Sequence, residues 1–198
     1  MIAHLRGNLL EKHPGTAIVD AAGVGYEVTV PISTFTRLPD VGGAVSLHIH
    51  THVREDALAL FGFATKEEKQ VFEKLIGVSG IGPKLAVTIL SGLPTPDLIS
   101  GIREGDVARL TRIPGVGKKT AERMVVELRD KLDFLPAGDG RKPVVAPAMS
   151  ALEQDVLSAL INLGCQRNAA EAALAKLKAQ GAPQEFETLF RRSLELVR

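Results

Sequence analysis

A single cysteine, Cys165, excludes a disulfide framework, a four-cysteine zinc site and a cysteine-ligated iron–sulfur cluster, and it fits a reducing compartment. Tryptophan is absent and aromatic residues make up only 4% of the chain. That argues against a surface that grips single strands by stacking bases on rings. No charge-free apolar run approaches the ~20 residues needed to span a bilayer. The first residues carry no basic-then-apolar leader pattern. The expectation is a soluble, cytoplasmic protein. Neither charge sign dominates: 24 Lys+Arg against 23 Asp+Glu leave +1. That neutrality is an average. Residues 1–64 hold 4 Lys+Arg, 6 Asp+Glu and all five histidines, whereas residues 65–136 hold 12 Lys+Arg and 10 Asp+Glu. The front is slightly acidic and the middle carries the positive surplus.

A hydrophobic share of 45% in 198 residues is that of a globular protein, and wholesale disorder is excluded. The length allows one large domain or two or three small ones. Residues 1–64 read as β structure. "IAHLRGNLL", "TAIVDA", "GVGYEVTV", "AVSLHIHTHV" and "ALALFGF" are short, rich in Val, Ile, Leu and Thr, and punctuated by Gly, Pro and Asp. Five strands in this length fit a small OB-like barrel, with an open sandwich as the alternative. Residues 65–136 switch to helix. Thr65 and Glu68 have capping-box spacing, and Val71, Phe72, Leu75 and Ile76 form one apolar face. Pro83 suits the first turn of a second helix and Gly92 its stop; Thr95-Pro96 starts a third. Asp106–Arg112 and Lys119–Leu132 read as a fourth and fifth. Residues 137–150 are rich in Pro, Gly and Ala without a period, which reads as a flexible linker or else an ordered surface loop. Residues 151–198 form a three-helix bundle: Ser150 and Glu153 repeat the capping-box spacing, Gly164 ends the first helix, and further helices run near Asn168–Ala179 and Gln184–Val197. So small a bundle buries little by itself, which suggests that it grips a partner.

The middle segment matches itself. "LIGVSGIGPKLAVTIL" (75–90) aligns with "LTRIPGVGKKTAERMV" (110–125), placing Gly80 on Gly115, Gly82 on Gly117, Lys84 on Lys119 and Ala86 on Ala121 at a constant offset of 35. A Gly–apolar–Gly turn lets the backbone bend tightly and approach another molecule. Ile81 or Val116 can plug the core between the glycines. The helix that follows presents unsatisfied N–H groups, a ready anion site. Ser79, Lys84, Lys118, Lys119 and Arg123 lie in or beside these turns. The expected ligand is a pair of backbone phosphates held without reading a base. "GVGKKT" is not a P-loop: Arg112 stands where the first glycine belongs and Lys119 where the hydroxyl belongs.

Glu55 and Asp56 lie between two expected strands, where a plain hairpin turn is one reading and a Mg²⁺-binding nuclease pair another. His48, His50 and His52 alternate, so they share one strand face; a metal site and a polar strand face are both open. Cys165 reads as a semi-buried structural thiol.

The doubled turn resembles the helix–hairpin–helix motif of non-sequence-specific DNA-binding proteins. With "GVGYEV" (23–28), "VREDA" (53–57), "LFGF" (60–63), "GPKLA" (82–86) and "PGVGKKTAER" (114–123), the resemblance extends to the RuvA family across most of residues 1–132. The tail resembles that family only in size and helicity. The resemblance implies a multidomain α+β protein: an OB-like barrel, a tandem helix–hairpin–helix domain, a linker and a three-helix motor-binding domain. It implies no cofactor and no catalysis of its own. The ligand would be a four-way (Holliday) DNA junction, held during recombination and repair. Contacts would come from Ser79, Gly80, Gly82, Lys84, Gly115, Gly117, Lys118, Lys119 and Arg123, with Glu55 and Asp56 as an acidic pin at the crossover. It further implies a homotetramer or octamer, the RuvB hexameric ATPase on the tail, and the junction resolvase as a further partner. Two other classes stay open: a helix–hairpin–helix repair glycosylase or nuclease, and a protein-binding scaffold.

Overall fold

The computed structural model describes residues 1–55, 57–132, 150–179 and 185–197. Asp56, the expected linker apart from Ser150, and Gln184 fall outside the described residues. The chain divides into two compact units, Met1–Gly140 and Arg141–Arg198.

The first unit opens with five strands: β1 (His4–His13), β2 (Thr16–Ala21), β3 (Val24–Thr29), β4 (Ala44–Val53) and β5 (Leu58–Phe63). They close in the order β1-β2-β3-β5-β4, with β4 returning to β1. The barrel reading therefore holds over the open sandwich. All pairings are antiparallel except the short β3–β5 contact at Thr29 and Phe61. Period-2 alternation drives the closure: Val45, Leu47 and Ile49 are buried with Leu9, Val19 and Val28 inside the barrel, while the residues between them point out. A four-residue helix, α1 (Ile32–Phe35), is inserted between β3 and β4, where no periodicity announces it.

Five helices follow: α2 (Lys66–Leu75), α3 (Pro83–Gly92), α4 (Thr95–Glu104), α5 (Val107–Leu110) and α6 (Lys118–Leu128). Their core joins Phe61 and Phe63 of β5 to Phe72 of α2, with the Phe63–Phe72 ring centroids 4.9 Å apart. Barrel and helices thus share a hydrophobic seam. The Thr65 hydroxyl accepts the Glu68 amide, 3.2 Å away. The reciprocal half of the expected capping box is missing. The buried Glu68 carboxylate instead accepts the Thr34 hydroxyl at 2.9 Å, and the Thr34 oxygen accepts the Ala64 amide at 2.9 Å. α1, the end of β5 and α2 are pinned together by this network. Gly92 ends α3 without a left-handed turn; its bare Cα lets Ile113 pack close.

The second unit holds α7 (Ala151–Asn162), α8 (Arg167–Ala179) and α9 (Phe186–Val197) around Val156, Leu160, Leu174, Leu177 and Leu189. The Ser150–Glu153 capping box is complete in both directions. Gly164 stops α7 in the left-handed region (φ +90°), and Cys165 packs half-buried against the core. Among the described residues no single helix is long and apolar enough to cross a membrane.

Candidate nucleic-acid interface

The 35-residue offset is a structural repeat. Gly80 and Gly115 both take left-handed backbone, φ +90° and +81°. Gly82 and Gly117 both cap the following helix in extended conformation, at φ −86°, ψ 171° and φ −83°, ψ 168°. The hydrogen bonds repeat as well. Ile81 donates to the Val78 carbonyl and Val116 to that of Ile113, each at 3.0 Å; Ala86 donates to Gly82 at 3.0 Å and Ala121 to Gly117 at 2.9 Å. Ile81 and Val116 are buried plugs, as are Ala86 and Ala121. Each plug pins its turn to the core, and the flanking glycines bring backbone to the surface.

The helices α3 and α6 begin at these turns, so their first-turn N–H groups face outward without intrahelical partners. Neither N-cap glycine has a side chain to satisfy them. Ser79, Gly80, Gly82 and Lys84 are exposed at the first turn; Gly115, Gly117, Lys118 and Lys119 are exposed at the second. Lys84, Lys118 and Lys119 make no ion pair among the described residues. Arg112, exposed in the second turn and likewise without an ion pair among the described residues, belongs with these cations; its place in the turn was the signal that could have found it. Solvated cations beside unsatisfied amides are what a polyanion requires.

The two turns are also tied to each other. Arg123, on α6, donates from Nη1 to both the carbonyl and the hydroxyl of Ser79, each 3.3 Å away. Leu85 of α3 leans the other way, onto Gly115. No local pattern announces contacts spanning 44 residues.

Glu55 is exposed at the tip of the β4–β5 hairpin, whose last rung is closed by Arg54 N–H donating to the Ala57 carbonyl at 2.8 Å. Its expected companion Asp56 lies outside the described residues. The three histidines share the outer face of β4, as their spacing requires, and each abuts another group, His48 standing edge-on to His4 with ring centroids 5.7 Å apart. His50 lies 3.2 Å from the Glu73 carboxylate and edge-on to Phe72, and His52 accepts from Arg54 Nε at 3.1 Å. His50 is thereby part of the seam against α2. Among the described residues no group of three His, Cys, Asp or Glu is placed to hold a metal ion.

Residues 1–62 match the RuvA N-terminal domain, and residues 72–130 match the SAM-like helix–hairpin–helix tandem. The chain is 64% identical over 200 residues, covering 100% of both chains, to the Holliday junction branch migration complex subunit RuvA of Solibacter usitatus. The chain belongs to the RuvA family. RuvA subunits of Acidobacterium capsulatum and Pseudomonas putida are 57% and 45% identical, over 100% and 98% of this chain and of their own lengths. The likeness therefore spans the tail as well, which the motifs alone matched only in size and helicity.

Proposed function

We propose that this chain binds four-way DNA junctions and serves a branch-migration complex in recombination and repair. The observation that carries the reading is the doubled turn: two copies of one backbone geometry, each with free amides and at least one lysine without an ion pair among the described residues. Two such turns suit two phosphates at fixed separation on a duplex arm, held without base readout. The names of the relatives support the junction as ligand and the complex as context. They also weigh against the repair-enzyme alternative.

In this reading the work divides by segment. Residues 65–136 hold the arms through Ser79, Gly80, Gly82, Lys84, Gly115, Gly117, Lys118, Lys119 and Arg123. Residues 1–64 present Glu55 and Asp56 at the crossover, where they repel phosphates; like charges ~4 Å apart interact by roughly 1 kcal/mol in water and more at lower dielectric. Residues 137–150 tether residues 151–198, which dock the RuvB ATPase. The motor hydrolyses ATP and pulls the arms; this chain contributes shape and charge. Four copies around a junction, or eight on its two faces, would set the pins at the centre, and the junction resolvase would share the assembly. The site of action is the cytoplasm.

The test is a gel-shift titration of a synthetic four-way junction, linear duplex and single strand at two salt concentrations. The junction should bind most tightly, and log affinity should fall with log salt by about 0.9 for each phosphate neutralised. Equal affinity for junction and duplex, or a flat salt response, would sink the proposal.

A further inference from the structure

The two turns share a backbone but not a charge. At the aligned positions the first hairpin has Ser79, Pro83 and Thr88 where the second has Pro114, Lys118 and Arg123. Gly77 likewise stands where the second has Arg112, so the first lacks three cations that the second possesses. Pro83 also removes one of the free amides at the start of α3, because proline has no N–H. Thr88 cannot compensate, since its hydroxyl is spent on the Lys84 carbonyl at 3.1 Å. Taken alone, the first turn would be the weaker phosphate site by both charge and donor count.

The Arg123 guanidinium reduces the imbalance. It leaves its own hairpin and stands over the first turn, with Nη1 3.3 Å from the Ser79 carbonyl and 3.3 Å from the Ser79 hydroxyl oxygen. A Cβ placed on Gly80 would lie 3.9 Å from the same nitrogen. Guanidinium carries five N–H donors, so those not engaged with Ser79 stay available to a ligand. The traffic is one-way. Pro114, the counterpart of Ser79, has no hydroxyl, and the side chain that crosses back to the second turn is the apolar Leu85.

Resting on the junction-binding reading above, we infer that Arg123 is a positioning residue lent by the second hairpin to the first: it orders the Ser79–Gly82 turn and adds a second cation to the phosphate site of Lys84. The first hairpin then offers two cations, Lys84 with Arg123, beside the second hairpin's Arg112, Lys118 and Lys119. The loan narrows the difference between the two sites, so the first contact is less prone to let go ahead of the second when the arm is drawn across the protein.

The experiment uses the full chain and four-way junctions carrying one neutral methylphosphonate at a time. The variants are K84Q, the double variant K118Q/K119Q, R123Q and R123K. The linkage at which K84Q loses its effect marks the phosphate of the first hairpin; that at which K118Q/K119Q loses its effect marks the second. R123Q should weaken the unmodified junction about ten-fold, the scale of one charge-assisted hydrogen bond, and lower the salt slope by about one. Its effect should vanish with the methylphosphonate at the first phosphate and persist at the second. R123K should restore the slope but only part of the affinity, because an ammonium lacks the planar fork that spans Ser79 and a ligand together. An R123Q effect that vanishes at the second phosphate, or full rescue by lysine, overturns the inference while leaving junction binding intact. Should K84Q and K118Q/K119Q both leave affinity unchanged, the hairpins do not hold DNA, and the proposed function and this inference fall together.

Discussion

Gly80 and Gly115 occupy equivalent places and the same left-handed backbone region, yet their surroundings differ. A Cβ at Gly115 would sit 3.0 Å from Leu85 Cδ1, inside the range where the neighbour must move; at Gly80 only the Arg123 terminus approaches, at 3.9 Å. Both substitutions to alanine carry the left-handed penalty of about 1–2 kcal/mol. Gly115→Ala should cost about 1–3 kcal/mol more from overpacking against α3. Urea unfolding of each variant measures the difference directly, and equal midpoints would mean that Leu85 yields freely. The glycines themselves were legible in the sequence, because a Gly-x-Gly turn repeated at one offset, with a lysine after each copy, marks two tight bends of the same geometry. Their unequal crowding was not, since it depends on which helix leans across the turn.

Among the elements, the capping box of α7 makes a pH-dependent contribution whose sign follows from its partners. The Glu153 carboxyl is held below its ordinary value of 4.5, first by the Ser150 amide and then by the Lys178 ammonium, with burial acting the other way. The Ser150 amide donates at 2.7 Å and Lys178 Nζ lies at 3.1 Å. A depressed carboxyl stabilises the fold fully above its unfolded value and loses that contribution as pH falls through the folded one. The second unit should therefore weaken in acid from about pH 4.5 downward. Glu153→Gln should flatten that dependence, and Ser150→Ala should cost about 1 kcal/mol at neutral pH. Hydrogen exchange of the α7 amides between about pH 3 and 7 would reveal both; an unchanged profile in Glu153→Gln would refute the assignment. This box was readable because both partners lie within one turn. At α2 the identical spacing misled: Glu68 turns away from Thr65 because Thr34, 34 residues earlier, offers it a buried hydroxyl. Short-range patterns name a capping residue but not its competitors. For the same reason the strands were legible from alternation and punctuation, whereas α1, too short to show a period, was not. The histidine strip looked like a free polar face only because α2, which covers part of it, arrives later in the chain.

At the scale of the whole molecule, the slightly acidic front and the basic middle would, in the proposed function, let repulsion and attraction act at different places on one ligand. On that reading, replacing Glu55 by Gln together with Asp56 by Asn should leave junction affinity unchanged or tighten it, since two repulsive charges go. Opening at the crossover should diminish, read as lower fluorescence from 2-aminopurine placed beside the exchange point. Lost affinity in that double variant would count against the pin. The seam between barrel and helices bears on the same behaviour. Phe61, Phe63 and Phe72 pack ring against ring, and Thr34 is bonded to Glu68 inside that joint. A load placed on the hairpins by moving DNA then reaches the barrel through a packed interior, so it cannot be relieved by swivelling. Close-packed interiors deform little before they separate. The joint should behave as a latch, stiff under modest tension and abrupt in release, so that a single-molecule pulling trace would show one sharp rip where a hinge would give a gradual slope.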